Sequence, residues 1–416
     1  MNYAETYDKA VALRQKNISP ALPIQGFHLL KSPVEKLTIE NLTVEKLTGI
    51  NAGKIIAKKT ELKYIKASEK FLPLITPAKL KQEIPLTRAA KQAVDLARTG
   101  IEKILQKQDK RILVITGPCS IHDEKAALEY AENLKELKKK VEETLLIVMR
   151  VYFEKPRTSL GWKGMISDPH MNNSFDMTTG LKKARKLLLK INEMGIPVAT
   201  EMLEPTTPAY IADLISWSAI GARTTESQTH REMASGLPMP VGFKNSTDGG
   251  LKTAINAIKA AGSNQSFLGI DQNGRSNIVR TNGNPWGHIV LRGGKHPNYD
   301  FASIESLQNN LKQSNLHEAI VVDCSHGNSC KNYKRQCIAW KEVMRQRKAG
   351  NKNIVGLMLE SHLFEGNQKI SSNLSNQANQ FKQANLEYGV SVTDACIGWQ
   401  ETEKLILSAD KMLKEV

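Results

Sequence analysis

Residues 112–119 read ILVITGPC, a short apolar, β-branched run that stops on glycine, proline and cysteine. Seven more runs of this kind follow: LLIVMR (145–150), PVATE (197–201), AIGAR (219–223), PVGFK (240–244), HIVLR (288–292), AIVVDCSH (319–326) and IVGLMLE (354–360). Amphipathic stretches lie between or after them, among them 124–140, 179–194, 226–235, 248–261, 331–348 and 399–414. Alternation of short apolar runs with helical periodicity is the signature of parallel strands joined by crossover helices. Eight such units within roughly 250 residues predict a TIM (β/α)8 barrel. The alternative is an open, doubly wound sheet, and the run endings separate the two. All eight runs end on Cys, His, Glu, Arg or Lys. A barrel brings every strand's C-terminal end to one mouth, whereas an open sheet needs functional residues only near its switch point.

Upstream of the barrel the character changes. Residues 1–60 hold a Lys/Glu/Thr-rich near-repeat, SPVEKLTIENLTVEKLTG, with too few apolar residues for a core of its own, and are read as an N-terminal extension. Residues 61–110 form a lead-in whose segment 86–105, LTRAAKQAVDLARTGIEKIL, carries apolar residues at helical spacing. The catalytic barrel is expected over 111–416.

The bulk numbers exclude several classes. No apolar run approaches the ~20 residues that span a bilayer, so no membrane segment is expected. The opening MNYAETYDKA lacks the apolar stretch of a secretory signal, and a cytoplasmic location is expected. Five scattered cysteines, an odd number with no CxxC pair, fit a reducing compartment. The net charge of +16 is spread along a chain with only 6% aromatic residues. Base stacking requires aromatics interleaved with the basic residues, so no nucleic-acid partner is expected. A positive field also steers phosphorylated small molecules into a cleft.

Two groups of side chains gather at the expected mouth. Cys119, His326, Glu360 and Asp394 offer thiolate, imidazole and carboxylate donors suited to a divalent metal such as manganese, iron, cobalt or zinc. Taken singly, Cys119 reads as a small buried hydrophobe, His326 as a core or loop histidine and Asp394 as a helix N-cap. Their joint placement favours a metal centre. Arg150, Lys155, Arg157, Arg223, Lys244 and Arg292 form a cationic set that would repel itself without anions to neutralise it, and a phosphate plus a carboxylate would serve. The LRGGK segment lacks the GxxxxGK(S/T) spacing of a Walker loop, which speaks against an NTPase.

The strings GPCSIHD, VMRVYFEKPRTSLGWKG, DPHMNNSF, GARTTESQTHRE, GFKNSTDG, HIVLRGGKHPNY, DCSHGNSCK and SVTDACIGW resemble the class I 3-deoxy-D-arabino-heptulosonate 7-phosphate synthases of the bacterial, aromatic-amino-acid-regulated type, from about residue 61 to the end. The resemblance implies a dimeric or tetrameric TIM barrel that condenses phosphoenolpyruvate with erythrose 4-phosphate in the first step of the shikimate pathway. It implies Cys119, His326, Glu360 and Asp394 as metal ligands. For phosphoenolpyruvate it implies Arg150, Lys155, Arg223, Lys244 and Arg292, and for the phosphate of erythrose 4-phosphate Arg157 and Thr158. Lys155, Glu201 and His326 are the implied catalytic residues, with Glu201 near the reacting water.

Three features depart from that pattern: the extension at 1–60, a polar stretch SSNLSNQANQFKQ before Asp394 that reads as a surface loop insertion, and Pro205, Ala209 and Pro238. Those three residues resemble positions where regulated members line an aromatic amino-acid pocket with bulkier or more polar groups, so weak or no inhibition by phenylalanine is expected. The rival readings are a condensation of phosphoenolpyruvate with another sugar, such as arabinose 5-phosphate or N-acetylmannosamine, and a non-catalytic regulatory protein.

Overall fold

The computed structural model describes residues 71–157, 160–370 and 386–415. The extension at 1–60, the start of the lead-in, Thr158 and the polar stretch 371–383 lie outside the described residues. The lead-in supplies helices α1 (Pro77–Glu83) and α2 (Arg88–Leu105), the second within one or two residues of its expected bounds. Each starts behind a threonine, Thr76 or Thr87, whose hydroxyl accepts from a backbone N–H of the first turn.

The barrel follows in chain order as β1 (Ile112–Gly117), α3 (Glu124–Val141), β2 (Leu145–Arg150), α4 (Met177–Glu193), β3 (Val198–Glu201), α5 (Pro208–Ile211), β4 (Trp217–Ile220), α6 (Gln228–Ser235), β5 (Val241–Lys244) and α7 (Lys252–Ala261). A two-stranded antiparallel hairpin, β6 (Gln265–Ile270) and β7 (Ser276–Thr281), then interrupts the alternation. Beyond it come β8 (Gly287–Leu291), α8 (Phe301–Gln313), β9 (Ile320–Asp323), α9 (Gln336–Lys348), β10 (Ile354–Glu360) and α10 (Trp399–Lys414). Eight parallel strands close in the order β1-β10-β9-β8-β5-β4-β3-β2. All eight apolar runs of the sequence are barrel strands, as expected, and the hairpin is a fold feature that the run-counting passes over. Among the described residues no helix is long and apolar enough to cross a membrane.

Strand pleating sorts the core into two shells, because successive side chains point to opposite sides. Leu113, Ile115, Val148, Ala199, Trp217, Val290 and Val321 face the barrel axis and form one buried cluster, while the larger cluster lies between strands and helices. Inside the barrel Trp217 donates its indole N–H to His288 Nε2 at 3.1 Å, and His288 Nδ1 lies 3.0 Å from the Trp286 carbonyl. This arrangement requires a neutral imidazole, and burial depresses the His288 pKa to about 4. Gly242 makes room for the indole: a Cβ there would come 2.4 Å from Trp217 and 2.6 Å from Val290. On the outside, the buried Arg185 donates to the carbonyls of Ile84 and Tyr210 and forks onto Asp213 at 2.7 and 2.8 Å, fastening the lead-in to α4.

Candidate active site

The same pleat that aims Val148, Ala199, Gly242, Val290 and Val321 at the axis aims the residues two positions later at the mouth. Those residues are Arg150, Glu201, Lys244, Arg292 and Asp323, and Glu360 follows Met358 in the same way. Arg150, Glu201, Lys244 and Glu360 are the last residues of their strands. Arg292 lies one residue past β8, and Cys119, Arg223 and His326 lie two or three residues into the loops. The sequence runs therefore overshoot four of the strands, although all eight run endings belong to the mouth-side end of the sheet.

Cys119, Glu360 and Asp394 bring one ligand atom each within 4.8 Å of one another. Asp394 Oδ2 accepts from the Cys119 thiol at 3.5 Å, and Glu360 Oε1 is held by Arg150 Nη2 at 3.0 Å. The N-cap of α10 is Gly398, so Asp394 is not that helix's cap. His326 stands beside this group rather than in it. Its Nε2 is 3.7 Å from Glu360 Oε1, and its Nδ1 faces Asp323 Oδ2 at 3.0 Å and the Ser325 hydroxyl at 2.7 Å. A proton on Nδ1 satisfies Asp323 and leaves the Nε2 lone pair toward the carboxylates, the orientation that a carboxylate partner imposes on metal-ligating histidines. The His326 backbone has a φ of 58°, unusual for a residue with a side chain. The donor set, a thiol, two carboxylates and an oriented imidazole, fits a borderline-soft divalent metal. Burial pushes the Cys119 thiol up to about 11, with Glu360 adding to the effect. A neighbouring metal cation reverses that balance, since a coordinating thiol is deprotonated.

Lys155 brings a second positive charge to this group, with Nζ 3.0 Å from Cys119 Sγ. Burial works to lower its pKa, but Cys119 and Glu360 outweigh it and hold the ammonium above its ordinary value. Lys244, almost fully buried, donates to Asp323 Oδ2 at 2.8 Å. Burial opposes ionisation of Asp323, yet His326 and Lys244 overcome it and hold this carboxyl well below the usual range. The cations are thus partly neutralised by the protein's own carboxylates, Arg150 by Glu360 and Lys244 by Asp323, and do not all await an exogenous anion. Arg223 and Arg157 are exposed at the rim, where Arg223 donates to the Pro156 carbonyl at 3.4 Å and Arg157 to that of Trp162 at 2.9 Å. Glu201 is buried, with no hydrogen-bond partner for Oε1 among the described residues, and a Cβ on Gly221 would strike that oxygen at 2.2 Å.

Sequence reasoning misses Asp323, Tyr152 and Glu154. Period-two counting from Val321 and Val148 finds the first two, since both continue an inward-facing row. Glu154 is buried, accepts from the Thr207 hydroxyl at 3.2 Å, and is pushed up to about 8 by burial and by nearby Glu204.

Residues 79–407 match the model of the DAHP synthetase I family. The chain is 52% identical over 340 residues to the Tyr-sensitive phospho-2-dehydro-3-deoxyheptonate aldolase of Salmonella typhimurium, an alignment covering 82% of this chain and 93% of that one. It is 51% identical over 333 residues to the Phe-sensitive enzyme of Escherichia coli strain K12, covering 80% of this chain and 92% of that one. The solved structure of phospho-2-dehydro-3-deoxyheptonate aldolase from Francisella tularensis superposes with a TM-score of 0.79 at 42% identity, over 83% of this chain and 98% of that one. With a closed eightfold barrel, a mouth lined by metal donors and cations, and relatives aligned over four-fifths of its length, the chain belongs to the DAHP synthetase I family.

Proposed function

We infer that the chain is a transferase that condenses phosphoenolpyruvate with D-erythrose 4-phosphate and water, giving 3-deoxy-D-arabino-heptulosonate 7-phosphate and phosphate, the first step of the shikimate pathway. The observation that carries this reading is the meeting, at one barrel mouth, of the Cys119–Glu360–Asp394 donor group with the buried cations Arg150 and Lys244. The relatives that align over most of their own length are named for the same reaction.

Cys119, Glu360 and Asp394, joined by His326 through Nε2, are the residues that would hold a divalent metal. Such an ion supplies Lewis acidity toward a carbonyl oxygen when bound. Around it Arg150, Lys155, Arg223, Lys244 and Arg292 are assigned to the phosphate and carboxylate of phosphoenolpyruvate, whose oxygens guanidinium forks match bidentately. Arg157, which lies at the rim, is assigned together with Thr158 to the phosphate of erythrose 4-phosphate. Lys155 is held protonated beside the reacting centre and serves as proton donor there. C3 of phosphoenolpyruvate bonds to the aldehyde carbon, whose oxygen takes the proton, and C2 is left electron-deficient. Glu201, whose Oε1 has no hydrogen-bond partner among the described residues, orients the water that then adds at C2, and phosphate departs by C–O cleavage. The regulated relatives point to an aromatic amino acid as effector, and Pro205, Ala209 and Pro238 argue against phenylalanine. A homo-oligomer is proposed on the same family grounds.

The deciding experiment follows phosphoenolpyruvate consumption with erythrose 4-phosphate on chelator-stripped full-length protein, before and after manganese is restored. Metal-restored turnover is expected. No turnover with manganese, iron, cobalt or zinc, followed by turnover with another acceptor sugar, would replace the sugar assignment, and silence across the sugar panel would overturn the enzyme reading.

A further inference from the structure

Tyr152 lies two residues beyond the end of β2, in no group assigned above, and it is wholly buried. Its ring belongs to the apolar cluster inside the barrel with Ile115, Val148, Ala219 and Val321. The Arg150 guanidinium carbon sits over that ring, 3.6 Å from its centroid. The ring is therefore both the top of the barrel's interior packing and the floor beneath a functional cation.

The other contacts of this guanidinium are hydrogen bonds. Nε donates to the Pro118 carbonyl at 3.1 Å, and Nη2 donates to the Cys119 carbonyl at 3.2 Å and to Glu360 Oε1 at 3.0 Å. Hydrogen bonds from a planar fork act close to the plane of the fork, so they fix where the edge points and resist out-of-plane tilting poorly. A flat aromatic face supplies the missing restraint, and its attraction for a cation is strongest where water is excluded. Arg150 ends β2 and Tyr152 continues its inward-facing alternation two residues past the strand, so the extended backbone between them sets the stacking distance. The Tyr152 hydroxyl is buried without a hydrogen-bond partner among the described residues. Packing places the ring, not an anchored hydroxyl. The backbone is pinned separately, where Ile121 N–H donates to the Tyr152 carbonyl at 2.8 Å.

We propose that Tyr152 is a positioning residue: its aromatic face holds the Arg150 guanidinium level against Glu360, and so sets the phosphoenolpyruvate end of the site. This rests on the assignment of Arg150 to phosphoenolpyruvate given above.

The test compares full-length, manganese-loaded wild type, Tyr152→Phe and Tyr152→Leu by steady-state kinetics in each substrate. It adds phosphoenolpyruvate binding read from tryptophan fluorescence, and thermal melting. Tyr152→Phe keeps the face and loses only the hydroxyl, so its KM and Kd for phosphoenolpyruvate stay within about 3-fold of wild type. Tyr152→Leu removes the face and raises both on the order of 10-fold or more, the worth of a desolvated cation–π contact. KM for erythrose 4-phosphate then moves by no more than about 2-fold, as expected for a site it does not touch. In an Arg150→Lys background the Tyr152→Leu loss shrinks, because the planar fork it acts through is already gone. If Tyr152→Leu does not fold, Tyr152→Met, unbranched and of similar reach, carries the same comparison. A leucine or methionine variant that melts lower but binds phosphoenolpyruvate normally would make Tyr152 a core filler and overturn the proposal. A phenylalanine variant as impaired as leucine would overturn it too, by moving the effect to the hydroxyl. If wild type binds phosphoenolpyruvate but Arg150→Lys leaves that binding unchanged, the underlying assignment of Arg150 fails instead.

Discussion

The Lys244 ammonium and the Asp323 carboxylate meet at 2.8 Å, and both side chains are almost fully buried. Asp323 also faces His326 Nδ1 at 3.0 Å, so one carboxylate sets the charge balance of a buried lysine and the orientation of an imidazole. Removing one partner of a buried pair leaves the other charge uncompensated, at a cost of about 3–5 kcal/mol. Asp323→Asn is therefore expected to lower stability by roughly that amount in denaturant unfolding, and to abolish measurable turnover. The double variant Lys244→Met, Asp323→Asn is expected to recover most of the stability and none of the activity. A single variant as stable as wild type would show that the pair is not the restraint described here.

Lys155 stands 3.0 Å from Cys119 Sγ, and its charge is held above the ordinary lysine range. As a proton donor its loss removes a general-acid contribution, typically about 10²- to 10⁴-fold. Lys155→Ala is expected to lower kcat by that factor while the metal bound per chain, measured on the same preparation, stays unchanged. Near-normal turnover would remove Lys155 from the chemistry, and loss of metal would reassign it to the metal centre.

Pro205, three residues before α5, and Ala209, within it, are half-buried, and Pro238 is exposed. Two prolines and an alanine offer neither a side-chain donor nor the bulk to grip an aromatic amino acid. Phenylalanine at 1 mM, about the top of the ordinary KM range, is expected to leave most of the turnover intact. A steep phenylalanine inhibition curve below that concentration would contradict the reading. The relatives do not choose the effector, since Tyr-sensitive and Phe-sensitive enzymes are 52% and 51% identical to the chain.

What the sequence made legible follows from which physical signals are local. The eight strands were visible because each buries a continuous apolar run, and a parallel sheet covered on both faces demands such runs. Cys119, Glu360 and Asp394 were readable as a group because each closes or follows a segment whose end a barrel brings to one mouth. The β6–β7 hairpin leaves no apolar run although DQNGRS carries an Asn273–Gly274 turn signal, because Leu268 and Ile278 face solvent on it and no core demands such a run. Asp323 is masked inside AIVVDCSH because the run continues three residues past the strand, to His326, and so its end does not mark the carboxylate that ends β9. Glu154 had no local signal at all: its environment is made by Thr207 and Glu204, some fifty residues away.

That environment makes Glu154 one of the buried groups through which pH acts on the fold. Its ordinary pKa of 4.5 is pushed up to about 8, by burial first and by Glu204 second, and the hydrogen bond from Thr207 only partly offsets them. At neutral pH the folded chain keeps this carboxyl protonated, whereas the unfolded chain releases the proton. Between pH 4.5 and 8 the native state binds more protons than the unfolded one, so this group's contribution makes stability fall as pH rises through that window. The full effect is on the order of 5 kcal/mol, complete above pH 8 and absent below pH 4.5. Glu154→Gln keeps an acceptor for the Thr207 hydroxyl and removes the titration. Its thermal midpoint is therefore expected to match wild type near pH 5 and to exceed it progressively toward pH 8.5, by several degrees at the upper end. A variant whose midpoint tracks wild type at every pH would mean that Glu154 is ionised in the folded chain and that its burial is offset by contacts other than those named. A variant less stable than wild type at pH 8.5 would mean that the carboxylate itself is required there.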